Sequence, residues 1–293
     1  MTPTGPVLKP AVDPEPPTTG SPTLAPSDTT SPTTSGTNTP APKPPKRRVR
    51  ILMLHGSYTQ SGPNFAAKTG ALRKKLAPLF AARNQEPIFI YPTAPLPVQA
   101  GETASIDAVD AWAWWRRNDA TGEYDGIDKG MAVVAEVLER ARLDAACEEG
   151  NDSGGIEGVI GFSQGGCMAA LLAAALERPH NPFGGSKLPA HEGWVKAVQT
   201  AHGGGQDKPL KFAVVCGGFR AAPRDLQQLY APKVKTPVMH CIGTVDTVVA
   251  EDRSMELVRQ CEEEVVYLHP GAHFVPIDKA FTMALAGFIF KNL

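Results

Sequence analysis

"EGVIGFSQGGCMAALLAAAL", residues 157–176, sets a serine between paired glycines, behind one apolar run and ahead of another. The first run is short and β-prone and the second is long enough for a helix, so the stretch reads as strand, sharp turn and helix. Ser163 stands at the turn, and Gly161 and Gly165 leave room for strand and helix to approach. A serine so placed projects its Oγ above the carboxyl end of a strand, where ligands bind in open α/β sheets. The competing reading is a polar residue in a glycine-rich turn, because G-x-S-x-G also arises by chance. The remainder of the chain decides between them, by whether it supplies the groups such a serine needs.

Outward from this stretch, β-prone runs at 49–54, 87–91, 156–161, 211–216, 237–242 and 265–269 alternate with segments of helical period. Helices are expected at 64–80, 126–143, 164–177, 250–261 and 279–291; within the second, Ile127, Met131, Val134, Leu138 and Arg142 recur at helical spacing. Such alternation implies an α/β fold, a mostly parallel central sheet of about six core strands with helices on both faces. Residues 1–46 contain 13 Pro, 11 Thr and 4 Ser, too few apolar side chains to offset the entropy of ordering. A disordered tail over 1–47 is therefore expected, then one domain over 48–293 with a long loop insertion at 179–210.

A serine hydroxyl is a weak nucleophile near neutral pH and needs an imidazole to take its proton and a carboxylate to orient that imidazole. After the strand at 237–242, "GTVDTVV" places Asp246 on a short loop; after the strand at 265–269, "PGAHFVP" places His273 on the next. The order Ser163, Asp246, His273 is that of an α/β-hydrolase triad, each residue in its own strand-end loop. His269 lies at a strand terminus before Pro270 and reads as structural, and His55 before Gly56 reads as a loop brace. An oxyanion hole is expected from the backbone N–H of Gln164 and that of Ser57, with Tyr58 as the alternative to Ser57. Trp112, Trp114 and Trp115 are candidates for an apolar acyl pocket, with packing against the domain body as the equal alternative.

Of the 293 residues, 42% are apolar and 20% charged, and the formal net charge of -1 gives no reason to invoke nucleic acid or an anionic membrane as partner. No apolar run approaches the ~20 residues that span a bilayer, and a cytoplasmic protein is expected. The 5 cysteines include no CxxC pair and the histidines no HExxH pattern, so neither metal nor other cofactor is expected. "KPPKRRVR" (43–50) reads as solvated charge before the first strand, with a nuclear-localisation patch as the alternative, and Arg116 and Arg117 as a solvated basic pair, with contact to an anionic carrier or carboxylate as the alternative.

The assembled motifs resemble the FSH family of serine hydrolases, a compact α/β-hydrolase group with fungal and animal members. "RILMLHGSYTQSGPNFAAKTGALRKKL" (50–76) is similar to that family's opening segment. "AWWRRND", "YDGID" and "GVIGFSQGG" are similar to its middle, and "GTVDTVV" and "HPGAHFVP" to its end. The resemblance covers 49–293 and implies esterase or thioesterase activity, with Ser163, Asp246 and His273 as nucleophile, acid and base. Some fungal relatives serve polyketide pathways, so a carrier-bound polyketide joins small-molecule acyl esters and thioesters as a candidate substrate. "YPTAPL" (91–96) departs from the Asp- and His-containing segment more usual there, as do the tail and the 179–210 segment, so substrate preference does not carry over. Two other activities fit the same residues: acyl transfer to an alcohol or amine, and a non-catalytic binding protein of the hydrolase fold.

Overall fold

The computed structural model describes residues 7–8, 46–57, 61–98, 110–148, 154–177, 189–204 and 208–293. Strands Val7–Leu8 (β1), Arg47–Leu54 (β2) and Gln85–Ile90 (β3) belong to the main sheet. Two short antiparallel ribbons follow, Leu96–Pro97 (β4) with Trp112–Ala113 (β5), and Arg116–Arg117 (β6) with Tyr124–Asp125 (β7). The main sheet is completed by Ile156–Phe162 (β8), Phe212–Cys216 (β9), Val238–Gly243 (β10) and Glu264–His269 (β11). Its order is β1-β11-β10-β9-β8-β2-β3, and every pair in it is parallel. All six expected strands are present, and the two-residue β1 adds an edge that composition did not suggest. The rest of the expected tail, up to residue 45, lies outside the described residues.

Alternation along the strands divides the core between the two sheet faces. Val49, Ile51 and Met53 of β2, with Phe212 and Val214 of β9, face helices Gly62–Lys68 (α1), Gly70–Ala81 (α2) and Lys279–Asn292 (α8). Leu52, Leu54, Ala213 and Val215 face the opposite way, toward Ile127–Ala146 (α3), Gln164–Leu176 (α4) and Pro189–Gly203 (α5). Every residue of α4 is buried, as an apolar helix without a solvent face must be. Arg224–Gln227 (α6) and Glu251–Val258 (α7) follow β9 and β10.

The structure departs from two expectations. The helix expected at 64–80 is broken at Thr69, whose φ of -92° and ψ of 6° end α1 and start α2. The segment 179–210, expected as a loop insertion, contains α5. Trp194, Val195, Val198 and Ala201 are the buried stripe of that helix, hidden in the sequence by flanking glycines and prolines that read as loop.

Register then sets the site. Leu54 pairs with Gly161, Phe162 with Cys216, Cys216 with Cys241, and Gly243 with His269. Five strands thus end at one level, and the residues that follow them converge on one sheet edge.

Candidate active site

Ser163 has φ 54° and ψ -118°, a region that L side chains rarely adopt and that costs about 1–3 kcal/mol. Neighbouring backbone holds it there. Its N–H donates to Cys216 O at 2.8 Å, and its carbonyl accepts from Gly166 N and Cys167 N at 2.9 and 3.1 Å. The turn closes because its glycines have no side chains: a Cβ on Gly161 would lie 2.1 Å from Gly165 O, and one on Gly165 2.2 Å from Leu54 O. The N–H of Gln164 opens α4, where helix geometry provides no intrahelical acceptor and the macrodipole is positive.

The His273 Nδ1–H donates to Asp246 Oδ2 at 2.7 Å, and the Asp246 side chain is 2% exposed. The other oxygen of Asp246 accepts from Val248 N and Val249 N, each at 2.8 Å, so the loop after β10 folds around its own carboxylate. A proton on Nδ1 leaves the Nε2 lone pair of a neutral imidazole available. The His273 ring lies 4.7 Å from that of Phe162, and a Cβ on Gly217 would come within 3.0 Å of it. Phe162 precedes Ser163, and Gly217 follows the residue that accepts from the Ser163 N–H. Of the three residues singled out from the sequence, Asp246 and His273 are bonded directly, and Phe162 and Gly217 bring His273 beside the turn that holds Ser163.

Ser57 lines the same cavity as Ser163 and Gln164, while Tyr58 lies outside the described residues. His55 is a brace. Its Nε2 accepts from Ala94 N at 2.9 Å, which puts the proton on Nδ1, and that N–H donates to Gly56 O at 2.6 Å. Burial lowers its pKa to about 4, so it stays neutral and keeps the acceptor. His269 is also structural, buried against Phe274 and accepting from Gly271 N at 3.2 Å.

The three tryptophans separate. Trp114 is fully buried, its indole N–H donating to His55 O at 2.8 Å, and Trp112 bonds to Asp110. Trp115 alone of the three lines the cavity at Ser163. The Gln164 side chain ties the link between the two ribbons to the start of α4, accepting from Trp114 N at 2.7 Å and donating to Trp115 O at 2.9 Å. The cavity, about 240 Å³, is also walled by Tyr124, Phe219, Arg117 and Arg253. The sequence reading missed the first, second and fourth as site residues. Phe219 was within its reach, since "CGGF" directly follows a strand like the other site loops.

Residues 45–285 match the model of the serine hydrolase family FSH1. The chain belongs to that family. Esterase OVCA2 of Danio rerio is 27% identical to this FSH1-family chain over 260 residues, covering 82% of it and 96% of the relative. A Schizosaccharomyces pombe protein named dihydrofolate reductase is 30% identical over 258 residues, 83% of this chain but 47% of that protein, so the chain spans about half of it. Among solved structures, a variant of SOBER1 from Arabidopsis thaliana superposes with a TM-score of 0.53 at 17% identity, covering 83% of this chain and 99% of that one. The FSH1-family member therefore has an α/β-hydrolase fold and belongs to a family of serine hydrolases. Among its described residues, no helix is long and apolar enough to cross a membrane.

Proposed function

We propose that the protein hydrolyses a carboxylic ester or thioester through Ser163, His273 and Asp246. The single observation that carries this reading is a strained serine at the same sheet corner as a histidine whose Nδ1–H is bonded to a buried aspartate. In this reading Ser163 Oγ attacks the carbonyl carbon as His273 Nε2 takes its proton, and Asp246 stabilises the imidazolium. The developing oxyanion faces the N–H groups of Gln164 and Ser57. The tetrahedral adduct collapses as His273 returns the proton to the departing alcohol or thiol, leaving an acyl-serine. Water, deprotonated by His273, then attacks the acyl-serine, and the adduct collapses as His273 returns that proton to Ser163 Oγ, breaking the acyl–oxygen bond and releasing the acid.

The family resemblance supports a carrier-bound polyketide as one substrate candidate. Profiling acyl length across p-nitrophenyl esters and acyl thioesters separates it from simple esters. The test of the mechanism is covalent labelling by a fluorophosphonate. Wild type is expected to label and to hydrolyse esters, and Ser163→Ala to do neither while melting at nearly the same temperature. Equal labelling of the two would overturn the assignment.

A further inference from the structure

The cavity at Ser163 is lined by two arginines and, among its described residues, no carboxylate. Arg253 is in the first turn of α7, its guanidinium carbon 4.8 Å from the centroid of the Phe219 ring. Phe219 in turn stands edge-on to Trp115, which stacks on Tyr124 at 4.5 Å. Next to Arg253, buried Ser254 donates its hydroxyl to Gly218 O at 2.8 Å, pinning α7 to the loop that carries Phe219. A guanidinium resting on an aromatic face keeps its edge of N–H donors free for a planar anion. Arg117 has an acidic partner in Asp119, at 3.8 Å on the exposed side of the ribbon. Tyr124 records both charges: burial pushes its hydroxyl above the usual phenol range, and Arg253 and Arg117 pull against that rise.

We infer that the part of the substrate filling this cavity bears an anionic group, a carboxylate or phosphate, gripped by Arg253 with Arg117 in support. The cavity's volume, about 240 Å³, is below the ~300–1,000 Å³ of sites for drug-sized ligands, so the charged portion is short. This inference rests on Ser163 being the nucleophile, which brings the scissile carbonyl to the same cavity. Arg253 then acts on selectivity, distinguishing esters by charge.

The experiment compares kcat/KM for matched charged and neutral esters. One pair carries the carboxylate on the acyl side, mono-p-nitrophenyl glutarate against p-nitrophenyl butyrate. The other carries it on the alcohol side, the butyrate ester of glycolic acid against ethyl butyrate. In at least one pair the charged ester is expected to be preferred, with Arg253→Gln lowering that preference about tenfold and Arg253→Lys retaining part of it. Raised ionic strength should also lower it in wild type. Arg253→Glu should turn the preference toward a cationic ester such as butyrylcholine. The exposed Arg140, on α3 and outside the cavity lining, is the control, and Arg140→Gln should leave the preference unchanged. Fluorophosphonate labelling of each variant reports separately on the nucleophile. No charge preference in wild type, or a preference that Arg253→Gln does not move, overturns the inference even where Ser163 labels normally; absence of labelling and hydrolysis in wild type overturns the mechanism instead.

Discussion

Two hollows at opposite ends of the sheet differ in size and in what their walls have left unpaired. A groove of about 690 Å³ lies near the amino end of β2, lined by Arg48, Arg50, Ile88 and the second half of α3. The cavity at Ser163 has about a third of that volume. In the larger groove the charges answer one another: Arg48 and Arg50 bond to Glu148 at 2.7 and 2.5 Å, and Arg140 to Asp144 at 2.9 Å. In the smaller one a serine is held in strained backbone, an imidazole is oriented by a buried carboxylate, and arginine faces an aromatic wall. On the proposed mechanism, volume ranks the two the wrong way round. Chemistry follows strain and uncommitted polar groups at the carboxyl ends of the strands.

The strongest way to break this contrast is to disable the small cavity chemically. Ser163→Ala is expected to lower kcat for ester hydrolysis by about 10⁴-fold or more, and Asp246→Asn by about 10³–10⁴-fold through loss of the correct imidazole tautomer. Stopped-flow or steady-state ester assays check both, and a loss below tenfold in either would place the chemistry elsewhere.

Next in size are the effects on the fold at the elbow. Gly165→Ala would set a Cβ against two carbonyl oxygens, at 2.2 and 2.5 Å, with no flexible side chain to yield. We expect a loss of at least about 3 kcal/mol, read by urea denaturation or as failure to accumulate soluble protein. Ser163→Gly should do the reverse, relieving the positive φ and raising the melting temperature by about 2–4 °C as activity disappears. An unchanged melt would mean that the backbone at Ser163 stores no strain.

Acid should weaken the small cavity's scaffold in a defined window. Free histidine takes up a proton below about 6.5, whereas buried His55 does so only near pH 4. The unfolded chain therefore binds the extra proton between these values, so His55 contributes fully above 6.5 and loses its contribution as pH falls toward 4. His202 and His240, held to about 4 and about 3 by burial, act in the same direction. Melting temperatures should fall from pH 6.5 to 5, where most carboxylates are still ionised, and His55→Gln should reduce the slope.

The smallest effect belongs to the groove. Arg140→Gln removes an exposed ion pair and is expected to leave ester hydrolysis within about twofold of wild type, with the melt nearly unchanged.

The strands and the triad loops were legible because their signals are local. A β-prone run ending in G-x-S-x-G is visible within twenty residues, and Asp246 and His273 each directly follow such a run. Helix α5 was hidden because glycines and prolines around it outweighed the spacing of Trp194, Val195 and Val198. The tryptophans were divided by contacts that propensity does not record: the Trp114 indole bonds to His55 O, and Trp115 lines the cavity.

By itself, the sequence determined the fold class, the order of strands along the chain and the three residues proposed to react, since periodicity and turn chemistry are properties of contiguous residues. Tertiary structure alone decided what surrounds Ser163. Tyr124, Phe219 and Arg253 come from a ribbon, a strand-end loop and a helix far apart in the chain. Parallel register stacks the strand ends at one level, and packing across the sheet then selects which side chains share a cavity.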